Sequence, residues 1–236
     1  MMNFGRLELK YCVPESVAER VLDIARTYLA PEPFACGPRQ RVTSLYLDTP
    51  DLQFLRLHHQ RASDRLKLRI RRYGEPPATV LYSEVKRKTR SVVRKERSAF
   101  VVAELGSVVA RSRATWRAVP HVLVTGIRES LRDPQGVAAV TVDRELQYQR
   151  VHDADLQGRT TAWRRLPLPR SNAADPVLLE LKHGFEVPDW MLPLINTLAP
   201  ARVSFSKYAA AMDDGACAVR ELTRVSCTAD SRLLLP

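Results

Sequence analysis

The sequence predicts an α+β protein whose strands are mainly antiparallel. Segments in which apolar and charged residues alternate are typical of half-buried strands, and they follow one another in hairpin order along the chain. Helical segments lie between or after these strands, as in α+β domains. About eight strands can be counted on this pattern, which is enough for a small barrel to close. Several strands carry their charges on one face, so a closed sheet would have a charged interior.

The predicted strand at residues 66–73 shows this pattern most clearly. Lys67, Arg69 and Arg71 alternate with apolar residues, so one face is apolar and the other carries three cations. Stacked cations repel one another unless an anion lies among them. A solvated face on an edge strand would explain a single such segment. Its repetition in several strands favours a binding site for a polyanion.

The other elements follow from the same reasoning, taken in chain order. Alternation predicts strands at 6–11, 41–48, 80–88, 92–100, 122–130, 138–148, 177–182 and 202–206. Helical spacing predicts helices at 14–28, 51–59, 104–118, 188–198 and 208–212. In the first helix the buried stripe is expected to be Val17, Val21, Ile24 and Tyr28. In the strand at 92–100, Lys95 and Arg97 share one face, but both faces are charged and the pattern does not decide which one points inward.

Composition limits the class of protein and of partner. Of the 236 residues, 45% are hydrophobic and 27% charged, which is typical of a globular chain. The 37 Lys and Arg against 26 Asp and Glu give a net charge of +11, which favours an acidic partner: nucleic acid, a membrane surface or a phosphate-rich small molecule. The four cysteines show no metal-ligand spacing, which favours inert thiols in a reducing compartment. No signal pattern and no apolar run of roughly 20 residues is present, so the protein is expected to be cytoplasmic.

Six short motifs together resemble a known family. They are RLELKY at 6–11, SLYLDTP at 44–50, KLRIRRY at 67–73, EVKRK at 84–88, ELK at 180–182 and SFSKYAAAM at 204–212. In this order and spacing they resemble the VTC domain, the polyphosphate polymerase domain of the vacuolar transporter chaperone complex, in its stand-alone bacterial form. That domain belongs to the triphosphate tunnel metalloenzymes. The resemblance covers residues 4–213, and residues 214–236 are expected to form a weakly structured tail.

The resemblance implies an eight-stranded antiparallel β tunnel with helices packed outside, a bound Mn²⁺ or Mg²⁺, and chemistry on a linear phosphate chain. The catalytic positions of the family fall on Lys10, Arg69, Arg71, Lys86, Arg128 and Lys207. These six also bind substrate phosphate, as does Lys182, and Lys88, Lys95 and Arg97 are further substrate-binding candidates. Glu180 falls on the metal-binding acid, with Glu8 and Glu145 as the next metal candidates.

The residue types suit this chemistry, although two positions depart from the family pattern. Several fixed cations offset the charge of a triphosphate, and arginine makes bidentate contacts with phosphate oxygens. The first motif begins with Arg6, where triphosphatases of the superfamily often have a glutamate, and fewer acids favour transfer or binding over hydrolysis. Gly126 stands where the family usually has an aromatic residue, which affects the expected tunnel lining near Arg128.

Two classes of function remain open on the sequence. The first is an enzyme that makes polyphosphate from the terminal phosphate of ATP, or that cleaves triphosphate. The second is a non-catalytic module that binds polyphosphate or a nucleotide. A nucleic-acid partner is not expected, because the cations lie on one face of successive strands and are not interleaved with exposed aromatic residues. Glu180, and likewise Glu8, Glu84, Asp143 and Glu145, could hold metal or only balance the cations around them.

Overall fold

The computed structural model of the protein describes residues 7–32, 37–75, 79–90, 92–151, 162–169 and 175–214. Residues 152–161 and 170–174, and residues 215–236 of the predicted tail, lie outside the described residues. Residue 214, assigned to the tail, belongs to the last helix. Among the described residues, no helix combines the length and the apolar character needed to cross a bilayer.

The described residues form ten antiparallel strands in one sheet. Eight of them are long: β1 (Leu7–Pro14), β3 (Gln40–Asp48), β4 (Arg65–Tyr73), β5 (Val80–Thr89), β6 (Val92–Val101), β7 (Val119–Arg132), β8 (Ala139–Arg150) and β10 (Pro176–His183). Two have two residues each: β2 (Ala30–Pro31) and β9 (Arg164–Arg165). The helices are α1 (Glu15–Arg26), α2 (Gln53–His59), α3 (Leu105–Trp116), α4 (Leu192–Leu198) and α5 (207–214). The predicted α+β class is confirmed.

The long strands are ordered β1-β10-β8-β7-β3-β4-β5-β6, which leaves β1 and β6 as the two edges. Among the described residues these edges do not pair with each other, so the barrel is open along one side. The sheet nevertheless curls strongly. Lys10 of β1 donates to the carbonyl of Phe205 (3.1 Å), and Lys67 of β4 donates to the hydroxyl of Ser206 (3.0 Å), so both strands contact one short segment. We call the face that carries these two lysines the concave face.

The convex face of β1, β8 and β10 is covered by α1. The buried residues of α1 are Ala18, Val21, Leu22 and Ala25, which pack with valines and leucines of the three strands. The predicted stripe is confirmed for Val21, which is buried, and for Val17, which packs against this core, but it is wrong for Ile24 and Tyr28, which are exposed. Tyr28 instead stacks on Trp190, with ring centroids 5.0 Å apart. The small side chains of Ala18 and Ala25 let the helix approach the sheet closely. The predicted stripe left these alanines out because it was drawn from the larger apolar residues.

The convex face of β3, β4 and β5 is covered by α2 and α3. Leu45, Leu68, Ile70 and Leu81 are buried there with the aromatic and aliphatic residues of both helices. These leucines and isoleucines are the apolar half of the alternation seen in the sequence. Because side chains alternate across a strand, burying this half turns the charged half inward.

Part of the concave face is apolar and is filled by α5. Tyr208 and Met212 of this helix pack with Val124, Tyr148 and Leu178, all on the inner side of the sheet. The fold therefore differs in detail from a tunnel whose helices all pack outside. The helix fills one part of the interior with apolar side chains and leaves the charged part open to a ligand.

Asp48, at the end of β3, fastens two helices to the sheet. Its fully buried carboxylate accepts hydrogen bonds from the backbone N–H groups of Phe54 and Leu55 at the start of α2, both at 2.9 Å. It also accepts one from the hydroxyl of Tyr208 in α5, at 2.7 Å. A buried carboxylate is stabilised by such donors, so the closing helix has a fixed position against β3.

A bulge interrupts the alternation of β8. Arg144 pairs with Ile127 and Gln147 pairs with Thr125, so Glu145 and Leu146 lie opposite the single residue Gly126. Glu145 has a positive φ of 49° and is exposed. Gly126 is buried and lets β8 approach, because an added Cβ would lie 2.7 Å from Cδ2 of Leu146 and 2.8 Å from the carbonyl oxygen of Arg144.

We expect Gly126→Ala to lower the free energy of unfolding by about 1–3 kcal/mol, the usual scale for overpacking. Gly106→Ala is the matched control, since an added Cβ there would meet no atom within 4 Å. Gly106 lies within α3, so its replacement should raise the free energy of unfolding by about 0.5–1 kcal/mol. Urea unfolding measures both. Wild-type stability for Gly126→Ala would show that the bulge does not need a glycine.

Candidate functional site

The concave face of β4 places Arg69 and Arg71 at the centre of the site. Their neighbours follow from strand pairing: Arg69 lies opposite Glu84 of β5, and Arg71 lies opposite Ser44 of β3. Arg71 is only 5% exposed and its Nε donates to Oγ of Ser44 at 3.1 Å. Its Nη1 donates to the hydroxyl of Tyr73 at 3.4 Å. Both guanidinium groups are thus held in place by neighbouring strands.

Glu84 holds four cations together. Its carboxylate, 2% exposed, lies 2.5 Å from Nε of Arg69 and 3.9 Å from Nη1 of Arg71. From β6 it meets Nζ of Lys95 at 3.2 Å and Nε of Arg97 at 3.6 Å. Burial raises the pKa of Glu84, but Arg69, Arg71 and Lys95 outweigh it and lower the pKa to about 2. Glu84 therefore balances charge, and its contacts show that Lys95 and Arg97 lie on the concave face.

Aromatic rings support one end of this cluster. The guanidinium of Arg97 lies 3.9 Å from the ring centroid of Tyr82 and 5.2 Å from that of Tyr73. Contacts of this kind attract a cation to the ring face. Arg97 is thus positioned by a carboxylate and by two rings, although its side chain remains 30% exposed.

A second buried carboxylate, Asp143 of β8, holds Arg128 and Lys207. Nε and Nη2 of Arg128 donate to its two oxygens at 2.8 and 2.9 Å, and Nζ of Lys207 donates to Oδ2. Burial raises the pKa of Asp143, but Arg128 and Lys207 outweigh it and hold that pKa below its ordinary value. Arg128 therefore lies on the concave face although Gly126 replaces the aromatic residue of the family.

The third carboxylate, Glu180 of β10, lies among lysines at the β1 edge. Oε1 of Glu180 is 3.4 Å from Nζ of Lys10, and Oε2 is 2.9 Å from Nζ of Lys182. Burial raises the pKa of Glu180, but Lys182 and Lys10 outweigh it and lower that pKa well below the ordinary value. Glu8 is 3.1 Å from the same Lys10 ammonium. Glu8, Glu180 and two lysines thus form one cluster.

Glu145 lies apart from this cluster, which corrects the third metal candidate. The alternation placed it with Thr141 and Asp143, but it is the exposed extra residue of the β8 bulge. The side chain after it, Leu146, turns inward instead and packs beside Tyr148. A period of two cannot predict this, because one inserted residue reverses every side chain that follows.

The donor set fits a divalent metal only in part. Among the described residues, no group of three His, Cys, Asp or Glu side chains is arranged to hold a metal ion. The carboxylates of Glu8 and Glu180 both lie close to one position, which the ammonium group of Lys10 occupies. Mg²⁺ is commonly held by one or two carboxylates together with substrate phosphates and water. The site therefore fits a metal that is bound jointly with phosphate.

Three further lysines of the hairpin β4–β5 face the same interior. No ion pair with a carboxylate involves Lys67, Lys86 or Lys88 within the described part of the chain. Lys88, half-buried, lies opposite Arg65. Burial lowers the pKa of Lys86, and Lys10 and Arg69 lower it further against the opposing effect of Glu8. Among the residues that the structure describes, these lysines therefore have no ion pair with a carboxylate to offset their charge.

Lys67 is a functional candidate that the family positions did not include. Burial, together with Lys10, Lys86, Arg69 and Arg65, lowers its pKa to about 7. The sequence could have indicated Lys67, because Lys67, Arg69 and Arg71 are spaced two residues apart and therefore lie on the same face of one strand. Tyr46 of β3 was also missed. Burial raises the pKa of its hydroxyl, but Arg69, Arg71 and Lys207 outweigh it and lower that pKa.

The long strands form an open barrel whose concave face carries many lysines and arginines. The comparison of sequences identifies the family. The VTC domain matches residues 5–117 and 102–214. The chain therefore belongs to the VTC domain family, and the resemblance found in its motifs is confirmed. The comparison with curated proteins gives no match.

Solved structures resemble the chain at the level of the fold. The PH1819 protein of Pyrococcus horikoshii OT3 is 12% identical with a TM-score of 0.48, over 89% of this chain and 99% of that one. A candidate adenylate cyclase of Bacillus halodurans is 12% identical with a TM-score of 0.49, over 86% and 95%. The Hippeastrum protein HpAC1, described with a dominant triphosphatase activity, is 12% identical with a TM-score of 0.45, over 89% and 96%. At such identities these likenesses define neither substrate nor reaction.

The low pKa of Lys67 predicts a pH-dependent effect of Lys67→Met on stability. The folded protein binds this proton with a pKa of about 7, whereas an ordinary lysine has 10.5. Between these values the unfolded chain holds more protons, so the stability contributed by this group rises with pH. Lys67→Met should therefore be more stable than the wild type near pH 7, and this gain should shrink towards about pH 10. Urea unfolding at both pH values measures it.

Lys182→Met serves as the control for this experiment. It removes a lysine from the same interior but breaks the 2.9 Å ion pair with the buried Glu180, so it should destabilise the protein at both pH values. A gain for Lys67→Met that does not change with pH would show that packing, not the charge of Lys67, causes the effect.

Proposed function

We propose that this protein transfers the terminal phosphate of ATP to a growing polyphosphate chain bound on its concave face. One observation carries the proposal. Lysines and arginines from β1, β4, β5, β6, β7, β10 and α5 converge on one interior, where among the described residues they outnumber carboxylates. An interior of this charge needs an anion to neutralise it. A linear phosphate chain offers repeated negative charge along its length and matches cations arranged along strands.

Arg69 and Arg71 would bind the phosphates that react. Ser44, Tyr73 and Glu84 orient their guanidinium groups, so little side-chain freedom is lost when phosphate binds. Lys67 and Lys86 would add charge that is not offset by a carboxylate. A bound phosphate favours the protonated form of Lys67, so this residue would act as a cation in the complex despite its low pKa.

The carboxylates of this site suit transfer to phosphate better than hydrolysis. A general base works best when its pKa lies near the working pH, yet the pKa values of Glu84, Asp143 and Glu180 are all lowered by paired cations. These carboxylates are therefore poor bases for activating water. The terminal oxygen of a polyphosphate chain is already an anion, so it can attack the γ-phosphorus of ATP without a base, while the bond from that phosphorus to the β,γ-bridging oxygen breaks and ADP leaves. The open side between β1 and β6 would leave room for a long product.

Glu180 and Glu8 would hold Mn²⁺ or Mg²⁺ together with phosphate oxygens. When bound, such an ion offsets the negative charge on the transferred group. The contribution of the chain itself is positional: Lys182 fixes Glu180 through one oxygen, and Arg128 and Lys207, held by Asp143, face the same space. Positioning and charge stabilisation supply most of the catalysis in phosphoryl transfer.

The direct test is incubation of the purified protein with ATP and Mn²⁺, followed by gel electrophoresis with a stain for polyphosphate. Arg69→Ala should weaken binding of inorganic triphosphate, measured by calorimetry, and lower turnover by about 10²-fold, the scale for loss of one electrostatic stabiliser. Arg94→Ala is the matched control, because Arg94 lies on the other face of β6 from Lys95 and Arg97. Binding of triphosphate should weaken as salt is added.

Equal losses in Arg69→Ala and Arg94→Ala would contradict the placement of the substrate on the concave face. If the wild type binds triphosphate but shows no metal-dependent turnover of ATP or triphosphate, the protein is a binding module. Release of inorganic phosphate without polymer would show a triphosphatase.

Glu180→Gln separates catalysis from binding. The substitution keeps the shape of the side chain and removes its negative charge, so triphosphate binding without metal should be unchanged or slightly tighter. Turnover should fall by about 10²-fold or more if Glu180 acts through the metal. Calorimetry and the polyphosphate assay, run on one preparation, measure both. Full activity in Glu180→Gln would leave Glu180 only a charge-balancing role.

A further inference from the structure

We infer that Lys10 occupies the place of the divalent cation in the free protein, so that metal enters the site only together with phosphate. This inference rests on the proposed function in assigning Glu8 and Glu180 to the metal. The ammonium of Lys10 lies 3.1 Å from Oε1 of Glu8 and 3.4 Å from Oε1 of Glu180. It is the cation that these two carboxylates share.

Strand pairing places Lys10 in this position. Lys10 lies directly opposite Glu180 in the antiparallel pair of β1 and β10, and Glu8 is two residues away on the same face of β1. The remaining oxygen of Glu180 is engaged by Lys182 at 2.9 Å. The side chain of Glu180 is 6% exposed, so a metal ion from solvent would have to displace lysine contacts to reach it.

The other concave carboxylates do not offer a better site. Both oxygens of Asp143 are bound by Arg128, and one of them also by Lys207. Glu84 meets four cationic side chains. In the described part of the chain, the cluster of Glu8, Lys10 and Glu180 is thus the place where two carboxylates meet one exchangeable cation.

A phosphate chain would change this balance. The Lys10 side chain is flexible and 23% exposed, and it also donates to the carbonyl of Phe205 at 3.1 Å. Phosphate oxygens beside it would compete for the ammonium and supply the ligands that the two carboxylates lack. Lys10 would then turn to phosphate and leave Glu8 and Glu180 to the metal. The species bound is therefore a metal–phosphate complex, not a metal followed by a nucleotide.

Binding of Mn²⁺ in phosphate-free buffer tests this without any turnover. Electron paramagnetic resonance measures free Mn²⁺ against the wild type, Lys10→Met, Lys86→Met and the double variant Lys10→Met with Glu180→Gln. Lys10→Met should bind one Mn²⁺ per chain at least about tenfold more tightly than the wild type, since a cation beside both carboxylates is removed. Lys86→Met removes the same charge from the same interior, but Lys86 forms no ion pair with Glu8 or Glu180, so its gain in Mn²⁺ affinity should be much smaller than that of Lys10→Met. The double variant should lose the gained site.

Equilibrium dialysis provides the second measurement. The wild type should retain Mn²⁺ with tripolyphosphate, at one metal per chain, and Glu180→Gln should retain tripolyphosphate with less metal. Tight binding of one Mn²⁺ by the phosphate-free wild type would overturn the inference, and so would an equal gain in Lys86→Met. If Lys10→Met does not fold, Lys10→Gln replaces it and the wild-type result alone still decides. A protein that fails to turn over ATP refutes the proposed function but leaves this measurement of the free site unaffected.

Discussion

The repulsion among cations on the concave face is the constraint on which the rest of the structure depends. Glu84, Asp143 and Glu180 each lie, almost fully buried, between two or more lysines or arginines. Without the cations these buried carboxylates would have no ion-pair partners, and without the carboxylates the cations would repel one another. Because each carboxylate comes from a different strand, the cations are distributed around the interior. The lysines and arginines that contact these three carboxylates are therefore positioned on folding.

The shape of the interior follows from the burial of apolar residues on both faces of the sheet. Helices α1, α2 and α3 cover the convex face, and α5 fills the part of the concave face where Val124, Tyr148 and Leu178 lie. Lys207 is the first residue of α5 and contacts Asp143. The same helix thus completes a hydrophobic core and delivers a cation to the site. Asp48 fixes this helix to β3, which links the stability of the core to the geometry of the site.

Among the described residues, pairing of the concave carboxylates with protein cations has two chemical consequences for the site. Acids with lowered pKa values do not take protons from water at neutral pH. They also have little capacity left for a metal ion that arrives alone. Both points agree with the proposed transfer between phosphate groups, in which the substrates would supply the nucleophile and part of the metal coordination. In that proposal the concave face of this VTC domain protein contributes mainly fixed positive charge.

The sequence by itself determined which strands carry the site and which face of most of them points inward. In β4, alternation places Arg69 and Arg71 opposite a continuous apolar face, so burial of one face fixes the other. It determined the family as well, through motifs from both ends of the domain. The sequence also indicated that Lys67 points inward, because Lys67 is two residues from Arg69 on the same strand.

Only the tertiary structure decided the cases in which that simple period is ambiguous or broken. Both faces of β6 are charged, so contact with Glu84 alone shows that Lys95 and Arg97 point inward. The position of Glu145 depends on a bulge that forms opposite Gly126, in a strand more than fifteen residues away. The cause is the same in both cases. Alternation is a local property of one strand, whereas the direction of a side chain at an edge or a bulge is set by its partner strand.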